Sequence, residues 1–412
     1  TTADIVVFGQ GETRQVQEID RADILLLTPG SSPIKAIEKL PSVNIQASDP
    51  FGNYEWSTRV TIRSFSQSQL GFNLDGIPLG DMQYGNHNGL HISRAISSEN
   101  IGTVRVSQGA GSIGTQSTNN LGGTVEYFSI DPLDHFAADA SATYGSSETF
   151  RAFVRLTAGS ENGARGFVSY AYASSDKWKG QGVQDQHMVN AKAIIPLGDV
   201  TLDGWFSYSD RREQDYQDMS LDMLDRLGYG FDNTFPRYDV AILLADIANN
   251  IDANNDGKSD ITGLAPSNPA AGKIFPGNVT SLDDAYYDAS GLRKDTVAAL
   301  GYKTPIGEAV NIAIKGYYHH IEGMGLWATP YTPSPTGVPI SIRTTEYDID
   351  RWGVFGSANF TLAFNKVHIG GWYEHNEFNQ ARRFYALATR TDPGRDFRKY
   401  PKNPFATGWE FD

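Results

Sequence analysis

Cysteine is absent from all 412 residues, which leaves carboxylates, carbonyls and eight histidines as ligand groups. A disulfide scaffold and any thiolate metal site are therefore excluded. Positive charge is scarce: Lys+Arg 34 stand against Asp+Glu 48, for a net charge of -14 and a pI near 5.0. Such a surface repels phosphate, so a general nucleic-acid binder is not expected. No run of about 18 apolar residues occurs, and a membrane-spanning helix is excluded with it. The chain opens at Thr1 with neither Met nor an apolar leader stretch, a start that fits either a cytosolic chain or a mature, processed one. Hydrolase motifs are missing too. There is no GxSxG and no HExxH, and the paired Asp283 and Asp284 have no assigned base, so no enzyme is expected.

Present in quantity are glycine, at 42 residues, and aromatics, at 12%. This balance favours strands and turns over long helices. The mean hydropathy of -0.38 leaves one way across a bilayer, a closed β-barrel, whose strands alternate and so carry a weak hydrophobic signal.

Two textures divide the chain. Residues 1 to 132 mix short strand signals with helix signals. Ser32 is placed as an N-cap with Pro33 at N1 of a helix over 33–40, and Ile92 and Ile96 mark a second helix over 91–98. Together they predict a small α+β domain. From residue 133 the period is two. Phe150, Ala152, Val154 and Leu156 oppose Arg151, Arg155 and Thr157; Val310, Ile312, Ile314 and Tyr318 oppose Asn311, Lys315 and His319. Trp352, Val354, Ala358 and Phe360 oppose Ser357, Asn359 and Thr361, and Val367, Ile369 and Tyr373 oppose His368 and Glu374. An apolar skin, a polar interior and aromatics near segment ends are the pattern of transmembrane strands. A soluble antiparallel sandwich also alternates. Link lengths favour the barrel: turns are expected near 146–149, 159–164, 196–199 and 304–308, and long loops over 211–293, 321–349 and 378–407. Nine strands are expected between 136 and 377, with a tenth beginning near Trp409. An odd count leaves a barrel unclosed, so the chain is expected to be C-terminally incomplete.

Five segments of the first domain then occur in order: DIVVFGQ at 4–10, PIKAIEKLPSVNIQ at 33–46, VTIRSF at 60–65, LDGIPLGD at 74–81 and ENIGTVRVSQGAGSIGTQSTNNLGGTVEYFS at 99–129. Together they resemble the plug domain of TonB-dependent outer-membrane receptors. The resemblance implies a plug at 11–132 seated in the lumen of a 22-stranded barrel, of which 133–412 supplies the first part, and it places a TonB box in residues 1–10. Asp4, Ile5, Val6, Val7 and Phe8 are its TonB-binding residues, suited to it because β-branched residues near a terminus can add as a strand to a partner sheet. An ordinary first plug strand is the other reading of this segment. Where the family has Ile-Arg-Gly this chain has Ile62, Arg63 and Ser64, and where it has Arg before glycine this chain has Gln108 and Gly109. Arg63 is therefore expected to keep half of the family's plug-to-barrel contact. Glycines 109, 111, 114, 122 and 123 lack the Lys and Ser/Thr of a phosphate loop and read as tight turns.

Solute contact in such receptors is expected from plug apices, here Tyr54, Trp56, Tyr84, Asn86, His87 and His91, an aromatic and amide-rich set. Packing of these loops against the barrel wall is the alternative. Residues 252–260 read DANNDGKSD. Asp252, Asn254, Asp256, Lys258 (through its carbonyl) and Asp260 have the spacing of a calcium loop, although Gly263 stands where the bidentate acid belongs. A solvated Asn/Asp/Gly loop fits equally. The resulting expectation is an outer-membrane receptor that imports a scarce solute, by default a ferric siderophore, with TonB as partner and no required cofactor. A passive porin or adhesin barrel and a soluble calcium-binding surface protein remain the alternatives.

Overall fold

This computed structural model describes residues 16–80, 82, 89–112, 114–248 and 274–411. The TonB-box residues 4–8, the apex residues Tyr84, Asn86 and His87, and the calcium-loop residues 252–260 lie outside the described residues.

The first domain carries eight short strands: β1 (Val16–Ile19), β2 (Val43–Gln46), β3 (Arg59–Ile62), β4 (Phe65–Ser66), β5 (Leu70–Leu74), β6 (Ile77–Pro78), β7 (Ile101–Gln108) and β8 (Gly123–Ser129). They form a mixed sheet in the order β1-β7-β8-β5-β6 and a small sheet β2-β3-β4. β5 is buried at all five positions, as expected of a strand lying parallel to a neighbour, here β8, with both faces covered. The link from β5 to β6 is the Asp75–Gly76 turn, with φ of 49° and 81°. Both values suit the Asp-Gly pair that a two-residue hairpin prefers. Space demands glycine as well, since a Cβ on Gly76 would lie 2.7 Å from the Phe355 ring.

The helices are shorter than their sequence signals. Pro33–Ile37 is a 3₁₀ turn, with Pro33 at the predicted start but no cap bond from Ser32. α1 (Arg21–Ile24), capped by Asp20, was not expected. Of the helix expected over 91–98, only α2 (Ile92–Ala95) forms, because Ile96 returns to an extended backbone.

Ten strands follow in one antiparallel sheet in sequence order: β9 (Ala137–Gly145), β10 (Thr149–Gly159), β11 (Arg165–Asp176), β12 (Val183–Leu197), β13 (Val200–Gln214), β14 (Ala289–Ile306), β15 (Val310–Thr329), β16 (Ser341–Leu362), β17 (Asn365–Tyr385) and β18 (Ala406–Phe411). The nine expected strands are present and the tenth, expected near Trp409, begins at Ala406, so the count is even and parity no longer bears on closure. Among the described residues β9 and β18 do not pair with each other.

Loop bounds need correction. The links are 215–288, 330–340 and 386–405 rather than 211–293, 321–349 and 378–407. β14 to β17 run 18 to 22 residues, well beyond the 9–11 that cross a bilayer. The strands continue where their hydrophobic alternation stops. The 146–148 turn also lies at the long-loop end, while 160–164, 198–199, 307–309 and 363–364 close the other end.

Alternation sorts the wall as expected. Phe167, Trp205, Val297, Ala299 and Tyr317 join the core of the first domain. Leu300 (75% exposed) and Ile369 (60%) stand on the opposite face. Tyr318, Trp352 and Tyr373 form an aromatic band on that face toward the long loops, and Tyr302 and Phe364 stand toward the short turns. Beyond the first band the same face carries a second core. There α4 (Tyr238–Ala248), which follows the short α3 (Leu221–Leu227) in the longest link, buries Ala241, Ile242 and Ala245 against Leu292, Met324, Leu326 and Ile342.

If hydrocarbon covers the Leu300 face, Leu300→Arg should cost about 2–4 kcal/mol of folding stability at mid-span. Ile306→Arg, on the same face but next to a short turn, should cost less than about 1 kcal/mol. Denaturant titration of the protein folded in lipid vesicles reads the difference, and equal costs would contradict the assignment.

Candidate functional site

Where the two domains meet, apolar packing gives way to buried charge. Glu55 stands at the centre with 4% of its side chain exposed. Its Oε1 accepts from Arg94 Nε on α2 at 2.7 Å and from Arg211 Nη1 on β13 at 3.2 Å, and Arg293 Nε of β14 approaches Oε2 at 4.0 Å. Arg94 also donates to Asp295 of β14. Asp295 is held at 3.0 Å by His319 Nε2, and His319 Nδ1 lies 3.2 Å from Arg351 Nη2. Glu213 lies 3.6 Å from Arg211 and 3.8 Å from Arg293. A chain of alternating charge thus crosses from the first domain into β13–β16.

Burial alone would raise the pKa of Glu55, but Arg94, Arg293 and Arg211 outweigh it and hold the carboxyl far below its usual range. His91 behaves oppositely. Its Nδ1 caps α2 by accepting from Ser93 N at 3.2 Å, and its Nε2 has no partner. Burial first, then Arg94, Arg211 and Arg293, against the opposing pull of Glu55, push it down to about 4. His91 is therefore neutral near pH 7.

The sequence placed His91 at a solute-contacting apex. It is 1% exposed and faces Glu55 instead, because the short α2 turns its capping residue inward. Tyr54 is also buried, at 2%. Its ring meets Tyr216 edge-on at 5.3 Å, and its hydroxyl accepts from Tyr216 N at 3.3 Å. Trp56 reaches the long link, donating from Nε1 to Asp218 at 2.7 Å. Tyr54 and Trp56 thus gather with Tyr216 and Trp178, whose rings lie 5.9 Å apart. Trp178 is 56% exposed, with Lys179 Nζ 5.5 Å from its ring centre. This aromatic group at the long-loop end is the candidate solute surface.

Arg63 donates from Nε to Gln108 Oε1 at 2.8 Å, and Gln108 donates to Pro41 O at 2.9 Å. The two departures from the family pattern are therefore neighbours in space. His319 and His320 point to opposite faces, as their adjacency in a strand requires. His320 instead stands with Asp348 and Asp350 on the outward face, their ligand atoms within 4.8 Å of one another. Sequence reading missed this group, since it spans two strands, and it missed the Glu55 network for the same reason.

Two outcomes follow. Glu55→Gln leaves Arg94, Arg211 and Arg293 short of their shared counter-charge, a loss of about 3–5 kcal/mol in first-domain docking. Proteolysis of the first domain in the full-length protein should accelerate accordingly. His91, with its folded pKa below the unfolded 6.5, stabilises docking above pH 6.5 and loses that contribution as pH falls toward 4. Hydrogen exchange at residues 91–100 should rise over that window. His91→Asn, which keeps an acceptor for the Ser93 amide, should flatten the rise. A response confined below pH 4 would assign it to carboxylates instead.

Comparison with known proteins agrees with this architecture. Residues 10–124 match the family model described as TonB-dependent Receptor Plug Domain. A search of curated protein sequences gives no match. Among solved structures, the unliganded ferric citrate transporter FecA aligns with a TM-score of 0.61 at 15% identity, covering 90% of this chain and 49% of that one. The ferripyoverdine receptor of the Pseudomonas aeruginosa outer membrane, bound to ferripyoverdine, gives 0.57 at 12%, covering 96% and 47%. The siderophore receptor PiuA from Acinetobacter baumannii gives 0.57 at 12%, covering 96% and 48%. The chain spans about half the length of these structures. No helix among the described residues is long and apolar enough to cross a membrane, which says nothing of strands. Residues 10–124 therefore carry a plug domain of the TonB-dependent receptor kind, and the strands that follow share the fold of those solved receptors.

Proposed function

We propose that the protein carrying this chain is an outer-membrane transporter that captures a solute outside the cell and imports it with energy supplied by TonB. The carrying observation is the polarity of the docked plug. Its Tyr54–Trp56 loop meets the long-loop end of the wall through Tyr216 and Asp218. Among the described residues its edge strand β1 pairs only with β7, over the four residues from Val16↔Ser107 to Ile19↔Val104. β1 and the 109–122 loop point toward the short-turn end, where Gly114 stands against His368. In this reading the long loops face outside and the short turns face the periplasm.

TonB pairing to residues 4–8 would then draw on an edge strand with few hydrogen bonds of its own. Unzipping bonds one after another needs far less force than shearing them together, which makes β1 the natural first point of release. The solved relatives are named for ferric citrate, ferripyoverdine and, in OprC, copper. A metal chelate is accordingly the default solute proposed here, held on the aromatic surface around Trp56 and Trp178.

Deleting residues 4–8 in the full-length protein should abolish growth on the transported solute while leaving its binding to whole cells intact. Trp56→Ala should weaken that binding about tenfold or more and leave folding unchanged. Uptake that survives the deletion would point to a passive barrel.

A further inference from the structure

The plug is not held alike on all sides. Toward β13–β16 it is joined by the ionic chain through Glu55, Arg94, Asp295 and His319. Toward β10–β12 there is space instead. A cavity of about 310 Å³ opens between plug residues 28–54 and these strands, reaching Trp178 and Tyr216. Below it lies a crevice of about 30 Å³. Gly30, Asn53, Arg151, Ala173 and Gln186 line both, so the two form one seam with a neck.

Neck and floor differ in chemistry. At the neck, Arg151 of β10 forks onto both carboxylate oxygens of Glu99 of the plug. Its stem passes over Gly30, where a Cβ would lie 2.3 Å from Arg151 Cδ and where φ is +89°. Among the described residues Arg151 is the only charged side chain lining the crevice. Beneath it Arg155 of β10, its charge met by Asp139 of β9 at 2.7 Å, donates to Glu99 O at 2.8 Å and to Asn100 Oδ1 at 3.1 Å, and the rest of the closure is neutral: Asn100 Nδ2 donates to Ser169 Oγ at 2.7 Å and to Asn190 Oδ1 at 3.0 Å, and Ser97 N donates to the same Asn190 oxygen at 3.0 Å. Neutral hydrogen bonds of this kind exchange with water or with hydroxyl and amide groups at little net cost, whereas a buried charge stripped of its partner does not.

We propose that the seam between the plug and β10–β12 is the passage for a hydrophilic solute, with the Arg151–Glu99 pair as its gate and the Glu55 side as the anchored hinge. This rests on the transporter reading above and adds to it a route and a gate. Solute hydroxyls and amides take over the bonds of Asn100, Asn190 and Ser97 as it descends. The small side chains of Ser31, Ala171 and Ala173 leave the clearance.

The absence of cysteine from this chain makes thiol labelling a clean test. In the full-length receptor in cells, Ala171→Cys reports the crevice and Ala299→Cys, on β14, reports the anchored side. A membrane-impermeant maleimide is added from outside. Glu99→Gln should raise the labelling rate of Ala171→Cys tenfold or more and leave that of Ala299→Cys unchanged. Purified into liposomes, the same variant should let raffinose through where the parent does not. The charge swap Glu99→Arg with Arg151→Glu should restore slow labelling, which separates a gate from a misfolded plug. Unchanged labelling at Ala171→Cys, equal acceleration at Ala299→Cys, or no rescue by the swap would overturn the proposal. None of these readouts needs TonB or the natural solute. A receptor whose uptake survives deletion of residues 4–8 would refute the transporter reading without touching this result.

Discussion

A carboxylate with 4% of its side chain exposed has to be neutralised by protein, and Glu55 takes its counter-charges from both sides of a domain boundary. Arg94 belongs to the plug; Arg211 and Arg293 belong to the wall. Separating the domains would leave charge stranded on each, unless water enters at the same moment. Docking is thereby made specific in register, because a plug displaced along the wall would bring Arg94 away from Asp295 as well as Glu55 away from Arg211. Apolar contact alone would not fix that register, being indifferent to small slides. The apolar contact present, Phe167, Trp205 and Tyr317 against the plug core, supplies adhesion, and the ions supply position.

The outward face of the wall solves a different problem with the same alternation. Between the aromatic bands it carries Leu300, Ile314, Val354 and Ile369, all well exposed. Above the Tyr318–Trp352–Tyr373 band it turns polar at His320, Asp348 and Asp350, and then apolar again where α4 covers Leu292, Met324 and Leu326. One strand face therefore meets three surroundings in succession. The long link is not a tether but the cover for the last of them, which is why β14 to β17 can project so far without exposing apolar edges.

Much of this was legible beforehand. The switch to period two after residue 133, the Asp75–Gly76 turn and the short turns at 160–164 and 198–199 depend on neighbours in sequence, and sequence displays them. Loop bounds failed where the environment changed while the strand did not. Residues 321–329 lose the apolar/polar alternation because both of their faces are largely buried there, yet β15 continues to Thr329. The Glu55 network was illegible for a stricter reason. Its members sit on separate elements, at 55, 94, 211, 293 and 319, each resembling an ordinary surface charge until the sheet brings them together. His91 was misplaced by the same route. A histidine beside amides and aromatics reads as a contact surface, and only the brevity of α2 turns it inward.

On the transporter reading proposed above, a stopper that moves faces a conflict between holding and release, which the distribution of bond types would resolve. Were the whole perimeter ionic and buried, every opening would expose several unpaired charges together. A wholly apolar perimeter would bring no unmatched polar group, but it would also offer a hydrophilic solute nothing to bind as it passed. With the network around Glu55 confined to β13–β16, and only Arg151–Glu99, Arg155 and the partly exposed Lys192–Asp131 pair set among Ser, Asn and Gln toward β10–β12, one side would rotate open while the other keeps its neutralisation intact. The single pair at the neck, Arg151 with Glu99, is then strong enough to keep the seam shut at rest. Being one pair, it is also weak enough to yield to a pull that the three arginines around Glu55 would resist.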